Sequence, residues 1–220
     1  MTLITLTFDN GPEPEVTPQV LETLRRHDMR ATFFVVGAKL RERRELAQRA
    51  HAEGHWIGNH TYSHRVPLGM SAAAGEARAE IERTETLIGD LAHPRRLFRP
   101  FGGGGVLDQR LLNGEALGWL QDNAHTCVLW NVIAHDWSQP DGWVERALAL
   151  CFARPHALLV LHDLPTGAMR DLDRFIAAAR DRGATFTQDF PADCVPMERG
   201  ELTGPIEPYV TRNGRFVAAS

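Results

Sequence analysis

Five short stretches hold the side chains that could do chemistry: Asp9 with Asn10, His60 with His64, Arg99, Asp136 with Trp137, and His162 with Asp163. His60 and His64 stand four residues apart, so a helical turn or a tight loop can aim both at one ion. Two loop histidines that cap or hydrogen-bond would show the same spacing. A metal would need a third ligand, which Asp9 or Asn10 could supply. A carboxylate suits a divalent cation better than an amide oxygen, which brings no charge. His162-Asp163 follows the apolar run 157–161 and is either a polar pair at the mouth of a buried strand or a solvated loop. Arg99 and Asp136, taken alone, read as members of surface ion pairs. The glycines at 102–105 lack the Lys-Ser/Thr of a P-loop and the spacing of a dinucleotide fingerprint, which leaves a flexible rim loop. A Gly-x-Ser-x-Gly elbow is absent.

The elements that must position these groups alternate along the chain. Seven β-branched or aromatic runs (3–7, 31–36, 55–59, 97–99, 126–132, 157–161 and 184–187) are separated by six segments of helical period (17–27, 40–53, 71–88, 108–119, 143–152 and 170–182). Parallel strands need crossover helices, so this rhythm predicts a parallel α/β protein. Gly54 and Gly183 stand where helix C-caps belong. Leu172, Phe175, Ile176 and Ala179 recur at three- and four-residue steps, one face for a core. The reactive groups follow strands one, three, four, five and six. In a parallel barrel all those strand ends open onto one rim, where five clusters would converge. That one-sidedness points to an enzyme.

The chain of 220 residues, 43% hydrophobic and 24% charged, has the balance of a soluble globular domain rather than of a disordered or fibrous chain. A net charge of −4 offers no general attraction to nucleic acid or anionic membrane. No apolar run approaches the roughly 20 residues of a membrane span. No basic n-region precedes the first strand, so the expectation is a cytoplasmic chain. Cys127, Cys151 and Cys194 are odd in number and lack Cys-x-x-Cys spacing, which indicates neither a disulfide framework nor a cysteine zinc site. Residues 1–188 read as one domain. Residues 189–220, with Pro191, Pro196, Pro205 and Pro208, read as an irregular tail packed over it, with a possible hairpin near Asn213-Gly214. Trp56, Trp119, Trp130 and Trp143 read as packing residues, and Trp137 as a binding wall. No feature specifies an oligomeric state.

Thr7-Phe8-Asp9-Asn10-Gly11-Pro12, His60-Thr61-Tyr62-Ser63-His64, Phe98-Arg99-Pro100-Phe101-Gly102, Asp136-Trp137 and Leu161-His162-Asp163 occur in this order. Together they resemble the five motifs of the NodB-homology polysaccharide deacetylases, carbohydrate esterase family 4, over residues 3 to about 188. The resemblance implies a distorted (β/α)7 barrel, a single NodB-like domain, and hydrolysis of N-acetyl groups on an acetylated amino-sugar glycan or oligosaccharide. It implies Asp9 as catalytic base, His162 as acid, Arg99 orienting the base and Asp136 tuning the acid. It makes His60, His64 and Asn10 the ligands of a divalent metal, zinc first, with cobalt or nickel as alternatives. Phe101, Trp137 and Leu161 fall to substrate binding.

Three departures stand out. Asn10 occupies the place of an aspartate ligand, which implies weaker metal binding, although muramic-lactam deacetylases also carry Asn there. One proline is missing after Arg99. Ile133 replaces an aspartate frequent three residues before Asp136. Two other functions fit the same scaffold: an allantoinase-like amidohydrolase, and a glycan-binding relic without turnover.

Overall fold

The structure, a computed structural model, describes residues 2–211. The hairpin expected near Asn213-Gly214 lies outside the described residues. Strands β1 (Leu3–Asp9), β2 (Thr32–Val35), β3 (Trp56–Asn59), β4 (Leu97–Phe98), β5 (Thr126–Cys127), β6 (Val132–Ile133), β7 (His156–His162) and β8 (Thr185–Thr187) alternate with helices. The helices are α1 (Thr17–Arg26), α2 (Gly37–Glu42), α3 (Arg44–Ala52), α4 (Glu76–Ile88), α5 (Gly114–Asp122), α6 (Trp143–Phe152) and α7 (Leu172–Asp181). Two short strands, β9 (Met197–Glu198) and β10 (Glu201–Leu202), follow.

One sheet curls through the order β10-β9-β5-β4-β3-β2-β1-β7-β6, with β8 also paired to β1. The first eight strands pair in parallel, as the crossover helices require, whereas β9 runs antiparallel to both β5 and β10. The expected barrel is present in distorted form. The run 126–132 divides into β5, which pairs with β4 and β9, and β6, which pairs with β7. No ladder joins β5 to β6, so the curl is open there. The segment 40–53 likewise divides, because Arg43 leaves helical geometry (φ −139°, ψ 44°) between α2 and α3.

Strand β1 shows how the sheet separates its two faces. Ile4, Leu6 and Phe8 point outward into the larger core, shared with Leu21 and Leu24 of α1 and with Phe175 and Ile176 of α7. Thr5, Thr7 and Asp9 alternate to the inner face, as the period of two demands. All six are buried, because helices cover one face and the curl covers the other. A second core, with Phe34, Leu158, Val160, Leu120 and Met197, fills the inside of the curl. Leu172, Phe175, Ile176 and Ala179 form the buried face of α7, and Gly183 ends that helix at φ 82°. The three cysteines are buried and unpaired.

Candidate active site

The C-terminal ends of the strands surround a pocket of about 280 Å³ lined by Asp9, Asn10, His60, His64, Phe101, Trp130, Ile133, Trp137, Val160 and His162, among others. Asp9 and His162 end adjacent strands and are register partners across the β1–β7 ladder. Each is backed by a buried group of opposite charge.

Arg99 is the backing of Asp9. Its Nη1 donates to Asp9 Oδ1 at 2.9 Å and to Thr7 Oγ1 at 2.7 Å, its Nε to Val128 O at 3.1 Å and its Nη2 to Leu129 O at 3.2 Å. The guanidinium also lies 4.1 Å from the Phe34 ring centroid. Arg99 is fully buried, not a member of a surface pair. Strand β4 ends inside the curl, so a long side chain leaving it meets Asp9 and two carbonyls rather than water. Arg99 reaches Asp9 with a single proline, Pro100, after it. Asp9 Oδ2 is left facing the histidines, 3.6 Å from His60 Nε2.

Asp136 backs His162 in the same way. It too is fully buried, and it accepts the His162 backbone N–H at 2.8 Å and faces His162 Nδ1 at 3.0 Å. Burial by itself would lower the His162 pKa. The hydrogen bond and charge of Asp136, helped by Asp9 and Asp163, outweigh it and hold the imidazole above its ordinary value. With Nδ1 committed to Asp136, Nε2 is the free ring nitrogen. Trp137 stands edge-on to this ring, centroids 4.6 Å apart.

The two remaining histidines sit on a loop held from three sides. Gly37 N–H and Ala38 N–H at the start of α2 donate to Thr61 O and Tyr62 O, both at 2.9 Å. Asn59 Oδ1 accepts Thr61 N–H at 3.0 Å while its Nδ2 donates to Ile81 O. Glu80 Oε2 of α4 accepts Tyr62 N–H and Ser63 N–H. These bonds hold Thr61 and His64 at positive φ (64° and 52°), a conformation costly for a β-branched residue. The result brings His64 Nε2 within 3.2 Å of His60 Nε2. The Phe101 ring lies tilted against that of His64, centroids 3.9 Å apart. Asn59 and Glu80 were invisible to sequence reading, since nothing local marks an Asn or a Glu that serves a distant loop.

Do these groups fit a metal? His60 Nδ1 lies 2.8 Å from Arg99 O, the contact that fixes a ring so that Nε2 presents its lone pair. Burial lowers the pKa of His60, and burial with the neighbouring His60 lowers that of His64 to about 2, so both rings are neutral and able to ligate. Asn10, at φ 76°, holds a buried Oδ1 with no hydrogen-bond partner. Among the described residues no three His, Cys, Asp or Glu side chains form a ligand group. Two imidazole lone pairs and one orphaned amide oxygen nevertheless make a donor set of the right chemistry, with one charge fewer than a carboxylate would bring.

Leu161 does not reach the pocket. It is fully buried in the outer core, because β7 alternates: Leu158, Val160 and His162 face inward while Leu159 and Leu161 face the helices. Val160 lines the site in its place, and the same period of two counted back from His162 could have found it. Trp130, read from sequence as packing alone, also lines the pocket and donates from Nε1 to Gly105 O at 3.0 Å.

Residues 2–118 match the sequence family described as polysaccharide deacetylase. A peptidoglycan-N-acetylglucosamine deacetylase of Bacillus cereus is 32% identical over 191 residues, 83% of this chain, which spans 65% of that protein's length. A chitooligosaccharide deacetylase of Sinorhizobium fredii is 34% identical over 194 residues, covering 81% of this chain and 86% of its own. Among solved structures, a family 4 carbohydrate esterase from Streptomyces lividans in complex with acetate shares 25% identity at a TM-score of 0.71, over 88% of this chain and 96% of that one.

Proposed function

The chain belongs to the polysaccharide deacetylase family, and on that footing we propose that it hydrolyses the N-acetyl amide of an amino-sugar glycan or oligosaccharide. One observation carries the reading: a carboxylate and an imidazole, Asp9 and His162, flank a single pocket, each oriented by a buried partner of opposite charge. Amide hydrolysis needs both a base for the attacking water and an acid for the leaving amine.

Asp9 is the base in this reading. Its Oδ1 is committed to Arg99, so Oδ2 takes the proton of the attacking water. His162 is the acid. Asp136 favours the imidazolium, and Nε2 gives its proton to the leaving amine. Trp137 and Phe101 wall the pocket where an acetyl methyl would sit, and the acetate in complex with the Streptomyces lividans relative supports an acetyl-bearing substrate. His60, His64 and Asn10 would hold the divalent cation, zinc in the first instance. When bound, that ion supplies Lewis-acid polarisation of the carbonyl and lowers the pKa of water from about 15.7 toward ~7.

Acetate release from N-acetylglucosamine oligosaccharides, assayed with added zinc, cobalt or nickel, tests the reading. Ammonia or a ureido product would instead identify an amidohydrolase of the allantoinase type. Saturable glycan binding with no product would identify a binding relic.

A further inference from the structure

We propose that a groove lined by Arg41, Arg65 and Arg83 binds a carboxylate carried by the glycan chain, on a sugar beside the one being deacetylated. The proposal rests on the glycan reading above and narrows its substrate to an acidic chain.

Tyr62 organises the groove. Arg41 of α2 donates from Nη1 to Tyr62 Oη at 2.9 Å, and the Arg83 guanidinium of α4 lies 3.6 Å from the Tyr62 ring centroid. Two cations from different helices are thereby anchored to one aromatic ring. Arg65 lines the same open groove, whose volume is about 490 Å³. Some arginines elsewhere in this chain pair with carboxylates, as Arg49 does with Glu53, Arg78 with Glu82 and Arg174 with Glu145, and others, such as Arg154 and Arg170, do not among the described residues. None of Arg41, Arg65 and Arg83 forms an ion pair among the described residues. Two acids, Glu76 and Glu80, share the groove, and Glu80 already accepts two backbone N–H groups through Oε2. Three guanidinium groups therefore face two carboxylates, in a protein whose net charge is −4.

At Arg41 and Arg83 an incoming carboxylate would meet planar donor forks already held by Tyr62, the geometry in which arginine binds oxyanions best. Position supplies the rest of the argument. Residues 60–64 form a wall common to both spaces, with His60 and His64 facing the catalytic pocket and Tyr62 and Ser63 facing the groove. An anion in the groove would thus lie beside the reacting sugar and outside the reaction centre. A neutral chain has nothing to place there.

The test is equilibrium binding to the full chain, which needs no turnover. Calorimetry would compare a neutral N-acetylglucosamine oligosaccharide with one of equal length in which alternate sugars carry a lactyl carboxylate. The acidic glycan should bind more tightly, and the advantage should shrink as salt is raised. Arg65→Gln alone, and Arg41→Gln with Arg83→Gln, should each weaken the acidic glycan about tenfold or more, the range of hydrogen bonds to charged groups, and leave the neutral one unchanged. Equal affinity for the two glycans, or an acidic preference that survives all three substitutions, would overturn the groove. Selective acidic binding without acetate release from either glycan would sink the deacetylase reading and leave the groove standing.

Discussion

Asp136 grips His162 at two points, accepting its backbone N–H at 2.8 Å and standing 3.0 Å from its ring Nδ1. The first contact fixes where the strand ends and the second fixes which way the ring turns. Because Asp136 raises the His162 pKa, the protonated acid persists above the ordinary histidine value and is lost as pH rises through the raised one. Acetate release should fall on the alkaline side. Asp136→Asn should move that limb to lower pH, and His162→Ala should cost on the order of 10²–10⁴ in rate. A pH–rate profile of the three proteins checks both, and an alkaline limb unmoved in Asp136→Asn would refute the coupling.

Arg99 is fully buried and Asp9 meets solvent only at the pocket, so removing one member strands the other. Arg99→Met should destabilise the fold by about 3–5 kcal/mol, because the Asp9 carboxylate would be left buried without compensation. Adding Asp9→Asn to Arg99→Met should restore part of that loss without restoring turnover. Urea denaturation of the single and double variants reads the difference, and additive losses would mean the two residues act independently.

Asn10→Asp should tighten zinc binding by about tenfold or more, since a carboxylate adds the charge that the amide lacks. Zinc titration against a competing chelator measures it apart from activity. Unchanged affinity would place Asn10 outside the ligand set.

Gly11 admits no side chain. A Cβ there would collide with the Asp163 carboxylate, and Asp163 is fully buried and accepts a hydrogen bond from Thr17 Oγ1. Gly11→Ala should cost about 1–3 kcal/mol as an overpacked core position. Asp163→Ala, which removes the opposing carboxylate, should make the second substitution cheaper than the first alone. Thermal denaturation of the cycle tests this, and a Gly11→Ala chain of parental stability would contradict the close approach.

His55 reports on acid stability. It is buried, accepts the Ala31 N–H through Nδ1 at 3.1 Å, and burial lowers its pKa to about 4. Its folded pKa lies below the unfolded value near 6.5, so the unfolded chain takes up the proton first. Stability is therefore present at neutral pH and falls as pH drops from about 6.5 toward 4, by up to roughly 3 kcal/mol from this residue. His55→Asn should flatten that part of the stability–pH curve, measured by denaturant midpoints across the range. An unchanged slope would show that other groups carry it.

The local pattern of the chain was enough to determine the alternation of strands and helices, the buried face of α7, the cap at Gly183 and the clustering of Asp9, Asn10, His60, His64, Trp137 and His162 at strand ends. Each depends on neighbours within a few residues, or on the rule that parallel strands open on one side. Tertiary structure alone decided the environments. Arg99 and Asp136 carry the same charges on a surface as in a core, and only the curled sheet closes them off and pairs them with Asp9 and His162. Asn59 and Glu80 serve the histidine loop through contacts that arise when β3 and α4 pack together. The alternation of β7 was legible, yet its phase placed Val160 at the pocket and Leu161 in the outer core, and phase is set by which face of the sheet the helices cover. Residue types limit the chemistry a chain can perform. Burial and partner geometry, which arise from segments far apart in sequence, determine which residues can perform it.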